Sequence, residues 1–136
     1  MTVSEVSGMK FSLLTPEGEL YSSEVDEVSA QGVEGELGIL ADHIPLVTAL
    51  EVAPLKIISN GQETRFAVYG GMLQVAPDKI TVLADNAELS NQINKQSALS
   101  RRDQIQAQIG RSHDAEEIES LQQELDTVEV QIEVAL

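Results

Sequence analysis

The sequence contains no cysteine and no tryptophan, and its 136 residues include only two phenylalanines and two tyrosines. The lack of cysteine excludes disulfides and thiolate-bound metal sites. The four aromatic residues, Phe11, Tyr21, Phe66 and Tyr69, all lie between positions 11 and 69. We therefore expect the larger hydrophobic core to form in the N-terminal half of the chain.

Positive charge is also scarce, because 8 Lys and Arg residues stand against 23 Asp and Glu residues, for a net charge of −15. Binding to nucleic acid depends on clustered Lys and Arg side chains, so nucleic acid is not an expected partner. Anionic lipid is disfavoured for the same reason. Two explanations of the charge remain: it keeps the protein soluble, or it complements a basic partner surface.

The sequence has no apolar run as long as the roughly 18 residues of a membrane-spanning helix. Residues 1–8 are polar and lack the pattern of a signal peptide, and we expect them to form a flexible N-terminal extension. Any association with a membrane is therefore expected to go through partner proteins.

Residues 9–87 form short segments of alternating apolar and polar residues, separated by turn residues. This pattern predicts about eight to ten strands, mostly antiparallel, in a β-sandwich. The clearest hairpin turn is Asn60-Gly61, because both positions suit a positive φ. Gly70-Gly71 is expected to break or kink the sheet. Both faces of residues 46–50 are largely apolar, which predicts a strand covered on two sides, and residues 55–57 are assigned to the next strand.

Three glycines recur at every third position from Gly32 to Gly38. A phosphate-binding loop would need a helix N-terminus directly after the glycines, but an apolar pair and a bend follow them. Glu34 and Glu36 would also repel a phosphate. We therefore expect the glycines to shape a tight loop between strands.

His43 follows Asp42 in a polar bend, where the carboxylate could raise the pKa of the imidazole or orient its ring. Catalysis would require a second group converging on His43, and the other histidine, His113, is seventy positions away. We expect His43 to be structural or to make a surface contact. No catalytic residue, metal site or cofactor is predicted.

From residue 88 onward the pattern predicts an antiparallel pair of helices. Asn94 is a suitable N-cap for the first helix, which is expected to end at Ile109 with Gly110 as its C-terminal stop. Asp114 and Glu117 form a capping-box pattern at the start of the second helix.

Apolar residues of the second helix recur with the 3-4-3-4 spacing of a coiled-coil seam. The first helix offers a thinner apolar face, so the hairpin is expected to be only marginally held. The predicted seam is Ile118, Leu121, Leu125, Val128 and Ile132, and the predicted facing residues are Ala98, Leu99, Ile105, Ala107 and Ile109.

Two segments resemble the epsilon subunit family of the rotary ATP synthase: GELGILADHIPLVTALE at residues 35–51 and YGGMLQVAPDKITVLAD at residues 69–85. The order of the parts, a β-sandwich followed by a helical hairpin, is also similar to that family. The resemblance implies a non-catalytic rotor subunit of the proton-translocating enzyme, located peripherally at the cytoplasmic face of a bacterial plasma membrane.

By the same resemblance, residues 9–87 dock onto the gamma subunit and onto the membrane ring of c subunits. The residues expected to approach that ring are Glu34, Glu36, Asp42 and His43. The hairpin at residues 88–136 is a candidate regulatory element that contacts the catalytic beta and alpha subunits in some relatives.

Some relatives bind ATP through a motif at the start of the first helix: Ile or Leu, Asp, two residues, Arg, Ala. The matching positions here are Ile93, Asn94, Ser97 and Ala98, so the carboxylate and the guanidinium of that motif are both missing. After Arg111 the chain also has eight acids and no Lys or Arg. We therefore expect no ATP binding and weak or absent inhibition of ATP hydrolysis; the alternative is an ATP-sensing subunit whose helices inhibit hydrolysis.

Overall fold

The structure, a computed structural model, describes residues 8–40 and 44–136, and within them eight strands precede two helices. The predicted fold class, a β-sandwich followed by a helical hairpin, is confirmed. A 3-10 turn over Ser90–Gln92 connects the two parts. The strands are β1 (Met9–Thr15), β2 (Gly18–Val25), β3 (Glu27–Gly32), β4 (Gly35–Leu40), β5 (Leu46–Ser59), β6 (Gln62–Ala76), β7 (Lys79–Ala84) and β8 (Ala87–Leu89), and the helices are α1 (Lys95–Arg111) and α2 (Ala115–Val134).

The strands are hydrogen-bonded in the order β2-β1-β7-β6-β5-β3-β4, and β8 pairs with β6. All of these pairings are antiparallel except the one between β1 and β7. β5 and β6 are long, with 14 and 15 residues, and each takes part in both layers of the sandwich. One layer holds β1, β2 and β7, and the other holds β3, β4 and β8.

Gly70 and Gly71 allow β6 to pass from one layer to the other. Their φ angles are +88° and +142°, and the pairing with β5 steps from Leu50–Gly71 to Val52–Tyr69 at this point. A Cβ atom on Gly71 would lie 2.2 Å from the carbonyl oxygen of Leu83. No side chain fits at this position. Because both residues are glycines, β6 can kink here and still continue as one strand.

The main core lies between the two layers, in the N-terminal part of the chain as predicted. Phe11 and Phe66 are fully buried, and Tyr21 packs edge-on against Phe66 with a ring separation of 5.1 Å. The Asn60-Gly61 turn is confirmed, since both residues have positive φ. Gly35 also has a positive φ and closes the turn between β3 and β4.

Two strand predictions were wrong, and one strand was missed. The outward side of residues 46–50 is not covered, because Val47 is 64% exposed. Residues 55–57 belong to the same strand as Leu46, since no turn interrupts β5. The strand β2 was not predicted, because its sequence GELYSSEV contains few apolar residues in alternation.

The two helices pack against each other through part of the predicted seam. Ala98, Ile105, Leu125 and Val128 are buried between them, and Ile109, Leu121 and Ile132 are partly buried there. Ala107 is exposed and does not take part, because it lies on the outer side of α1.

The helix ends also differ from the prediction at two points. The predicted capping box of α2 does not form, because the Asp114 side chain accepts from the N–H of Glu116 and the Asp114 N–H donates to Oγ of Ser112. Asn94 is the N-cap of α1, as expected, and accepts a hydrogen bond from the N–H of Ser97. Gly110 does not end α1, which continues to Arg111 and is capped by an extended Ser112. A glycine stop is not needed there, because the N–H of Ser112 satisfies the carbonyl groups of Gln108 and Ile109.

We predict that Gly71→Ala lowers the free energy of unfolding by about 2–4 kcal/mol, from a strained positive φ and the clash with Leu83. The matched control is Gly38→Ala, because a Cβ at Gly38 meets nothing within 4 Å and its φ is unstrained. Urea unfolding measures both variants. Equal stability of the two variants would contradict the proposed role of the kink.

Candidate functional site

One outer face of the sandwich is apolar and exposed. Cross-strand pairing places Ala49, Met72, Leu83 and Leu14 side by side in a row across β5, β6, β7 and β1. Met72 is 41% exposed and Leu83 is 40% exposed. A second row lies beside the first, and together they form what we call the open face: Ser12, Leu14, Val47, Ala49, Met72, Gln74, Thr81 and Leu83.

The open face has an unusual charge for this chain, since none of its eight residues is acidic although the net charge is −15. Lys10 and Lys79, which pair with each other across β1 and β7, lie next to it, and so does Glu19 of β2, which pairs with Leu14. Absence of carboxylates, together with exposed Met and Leu, is typical of the centre of a protein–protein interface. This face is therefore suited to binding another protein.

Two of the four predicted contact residues lie close together, Glu34 in the turn between β3 and β4 and Glu36 at the start of β4. Glu34 and Glu36 are exposed and line the mouth of a cavity of about 260 Å³. Leu37, Leu46 and Val47 supply its apolar lining. We call Glu34 and Glu36 the acidic lip. Because Val47 lines the same cavity and also belongs to the open face, the acidic lip and the open face adjoin each other.

The other two predicted contact residues, Asp42 and His43, lie outside the described residues. The structure therefore brings together Glu34 and Glu36 only.

Helix α2 covers the outer face of the opposite layer. Ala67 is fully buried, and Val130 and Val134 of the helix pack against it, flanked by Tyr69 and Ile93. These contacts use a different side of α2 from the seam with α1. The helical hairpin is consequently docked on the sandwich through α2.

A polar contact lies beside this apolar one. The Tyr69 hydroxyl donates a hydrogen bond to Oε1 of Glu88, and Nε2 of Gln131 donates to the same oxygen at 3.0 Å. Burial of the phenol and its hydrogen bond to the Glu88 carboxylate raise the pKa of Tyr69 above its ordinary value. We call this group, which joins β6, β8 and α2, the clasp.

The C-terminal end of α2 lies near two cations of the sandwich. A cavity of about 320 Å³ is lined by Lys56 and Arg65 on one side and by Glu133 and Val134 on the other. The last turn of α2 has no basic residue of its own. Cations near a helix C-terminus are favourable, so Lys56 and Arg65 help to hold this end of the helix.

The same two cations flank Glu63. Its hydrogen bond with Arg65 holds the pKa of this exposed carboxyl below its usual value.

Three of the four side chains at the positions of the ATP motif make structural contacts. Ile93 packs against the docked helix, and Ala98 is buried between the helices. The side chain of Asn94 is used as the N-cap of α1, and Ser97 is exposed.

The described part of the chain contains no cluster of three or more His, Asp or Glu residues arranged to hold a metal ion. It also has no helix long and apolar enough to span a membrane. What the described residues offer is an apolar docking face, an acidic lip and a docked helix.

The sequence analysis did not identify the docking contact made by Ala67, Val130 and Val134, nor the clasp. A signal was present, because residues 128–134 of α2 are apolar at every second position. A helix with that pattern has apolar residues on two sides and must be covered on both. The run Phe66-Ala67-Val68 likewise indicates a strand covered on both faces.

Comparison with known proteins supports the family resemblance. The model of the ATP synthase delta/epsilon chain β-sandwich domain matches residues 8–90. The ATP synthase epsilon chain of Bacillus licheniformis is 42% identical over 94 residues, which are 69% of this chain and 72% of that protein. The epsilon chain of Natranaerobius thermophilus is 42% identical over 105 residues, 76% of this chain and 74% of that protein.

Solved structures share the fold at lower sequence identity. A chain of the Euglena gracilis mitochondrial ATP synthase, in a structure of OSCP, F1 and the c-ring, is 18% identical with a TM-score of 0.83. The comparison covers 93% of this chain and 80% of that chain. A chain of the Tetrahymena thermophila mitochondrial central stalk and c-ring has a TM-score of 0.62 at 18% identity, covering 94% and 96% of the two chains.

We predict that Tyr69→Phe lowers the free energy of unfolding at neutral pH by about 1–3 kcal/mol, because Glu88 loses one of its donors. The raised pKa also predicts a pH dependence. An unfolded tyrosine ionises near pH 10, whereas folded Tyr69 keeps its proton. Its contribution is complete below about pH 10 and is lost as pH rises through its folded pKa.

The measurement is urea unfolding from about pH 8 to about pH 11, and the difference between wild type and Tyr69→Phe is compared across that range. The difference is expected to shrink at the alkaline end. A difference that is constant with pH would show that the phenol proton does not contribute to the clasp.

Proposed function

The chain belongs to the epsilon chains of ATP synthase, and on this basis we propose that it is a central-stalk subunit that docks onto the gamma subunit through its open face. In this proposal the acidic lip contacts the ring of c subunits. Rotation of the ring then passes through the sandwich to the catalytic head. As an epsilon chain, the protein is a non-catalytic subunit of the complex.

The open face is the observation that carries the proposal. Burying a large apolar side chain is worth about 1.5–3 kcal/mol, so Leu83, Met72 and Val47 together can supply a substantial part of a docking energy. The absence of carboxylates on this face lowers the desolvation cost of docking. Both features favour a stable contact, as the shaft of a rotor requires.

The acidic lip is negatively charged, whereas the open face is apolar, so the lip suits a different contact. Glu34 and Glu36 are exposed and solvated, so their interaction with a partner adds charge selectivity more than affinity. Because the lip adjoins the open face at Val47, one module can contact the shaft and the ring together. We place the protein peripherally at the cytoplasmic face of a bacterial plasma membrane, held there by these partners.

The helical hairpin is proposed to stay docked and to inhibit ATP hydrolysis weakly or not at all. The family resemblance implies that, where the second helix of a relative inhibits, basic residues of that helix contact an acidic segment of the catalytic head. Helix α2 would present like charges to such a segment, because no Lys or Arg follows Arg111 and, of the eight carboxylates there, only Glu124 is ion-paired in the described residues, with Arg101. These carboxylates are Asp114, Glu116, Glu117, Glu119, Glu124, Asp126, Glu129 and Glu133. The apolar contact at Ala67 and the clasp support the docked state.

We predict that Leu83→Glu weakens binding to the gamma subunit by at least about tenfold, the equivalent of about 1.4 kcal/mol, since it places an unpaired carboxylate in an apolar interface. Gln62→Glu makes the same change of charge at an exposed position at the start of β6, outside the open face, and should bind as wild type. Affinity is measured by calorimetry with purified gamma subunit. Equal affinities of the two variants would refute docking through the open face.

We also predict that deleting residues 93–136 changes ATP hydrolysis by the reconstituted complex by no more than about twofold, a barrier change of about 0.4 kcal/mol. Co-purification with gamma provides the control that the truncated chain still assembles. A several-fold rise in hydrolysis would show that the hairpin inhibits and would favour the regulatory alternative.

A further inference from the structure

The outer edge of β4 is a site where the sandwich can accept another strand. In the described residues β4 pairs only with β3 and ends the order of strands. In an antiparallel pair, alternate residues turn their backbone N–H and C=O groups away from the partner strand. An edge strand therefore presents a row of unpaired hydrogen-bonding groups.

The sequence of β4 does little to block such pairing. Its six residues, GELGIL, contain no lysine and no proline, and its register with β3 is regular over the whole strand. Lysine, proline and bulges are the usual means by which proteins protect an exposed edge. The edge of β4 has none of these features.

The side chains of β4 define what kind of strand would fit. Glu36, Gly38 and Leu40 alternate along its exposed side, and Leu40 is 58% exposed. A Cβ at Gly38 would meet nothing within 4 Å, so a notch lies between the carboxylate and the leucine. An aromatic side chain on a neighbouring strand commonly covers such a glycine.

The negative charge around β4 also limits which kind of strand can bind there. No Lys or Arg occurs between Lys10 and Lys56, a stretch with nine carboxylates: Glu17, Glu19, Glu24, Asp26, Glu27, Glu34, Glu36, Asp42 and Glu51. A second copy of this chain would bring Glu34 and Glu36 close to identical charges, which disfavours pairing between copies. Lys56 and Arg65 line a cavity together with Glu36, but neither forms an ion pair with it in the described residues. The Glu36 carboxylate can therefore still attract a cation on an approaching strand.

We propose that β4 binds an extended segment of a partner protein by strand addition, with a basic side chain opposite Glu36, an aromatic one opposite Gly38 and an apolar one opposite Leu40. This inference goes beyond docking through the open face, because that face can bind a partner while the edge of β4 stays unpaired. Strand addition gains its affinity from main-chain hydrogen bonds and its specificity from alternate side chains.

The test uses the full-length protein and the synthetic peptide Ser-Val-Thr-Phe-Thr-Arg-Ser, whose antiparallel alignment places Val, Phe and Arg opposite Leu40, Gly38 and Glu36. Amide chemical shifts are followed by NMR up to low-millimolar peptide, and hydrogen exchange of the β4 amides is measured at the end point. We expect shift changes centred on β4 and β3, and slower exchange of the β4 amides that face away from β3.

Variants of the protein and the peptide provide the controls. Gly38→Lys should abolish binding, because it places a cation on the edge and fills the notch, where an added Cβ meets nothing within 4 Å. Ser22→Lys puts the same side chain on the other edge strand, β2, and should bind as wild type. A peptide with Glu in place of Arg should bind at least several-fold more weakly.

Four results would overturn the proposal. They are no shift changes at the highest concentration, changes centred on the open face or on β2, equal binding of the two peptides, and self-association of the protein through β4. None of these results bears on the affinity of the open face for gamma, so the two proposals can fail separately.

Discussion

The bend in β6 at Gly70 and Gly71 is the constraint on which the rest of the structure depends. It lets β5 and β6 belong to both layers, so the sheet folds over its own core. A sandwich built in this way has two outer faces, and both are partly apolar here. Helix α2 covers one of them at Ala67, and the other carries exposed Val47, Met72 and Leu83. The uncovered face is the one that we propose as the docking surface for the gamma subunit.

Charged residues are also distributed unevenly over these surfaces. The open face has no carboxylate, whereas the lip and helix α2 carry many. Self-repulsion of a chain with a net charge of −15 disfavours non-specific association, and a face without carboxylates is a favourable place for apolar docking. The docked helix is held by apolar contacts, by the clasp and by cations near its C-terminal end. Its remaining surface is acidic and solvated.

Much of this was predictable from local sequence patterns. The alternation around Phe11, the Asn60-Gly61 turn and the Asn94 cap each depend on neighbouring residues only, so the sequence predicted them correctly. The seam between the helices was also predicted, since its residues repeat along one helix. The continuous β5 was not predicted, because the apolar runs at residues 46–50 and 55–57 were assigned to two separate strands.

The long-range contacts were harder to predict. Glu88 and Gln131 are 43 positions apart, and no local pattern predicts that Tyr69 and Gln131 both donate hydrogen bonds to Glu88. Which outer face the helix covers is also decided by packing between distant segments. The open face became visible only when the register of β1, β5, β6 and β7 was known, because its residues come from four strands.

The central claim is that the open face binds the stalk, and Met72 is a natural reporter for it. Met72 is 41% exposed on that face, whereas Met9 is 1% exposed in the core and serves as an internal reference. The measurement is the rate of methionine oxidation by hydrogen peroxide, followed by peptide mass spectrometry, with and without saturating gamma subunit. The account predicts that gamma slows oxidation of Met72 several-fold and leaves Met9 slow in both states. Oxidation of Met72 at the same rate in the free and bound protein would contradict it.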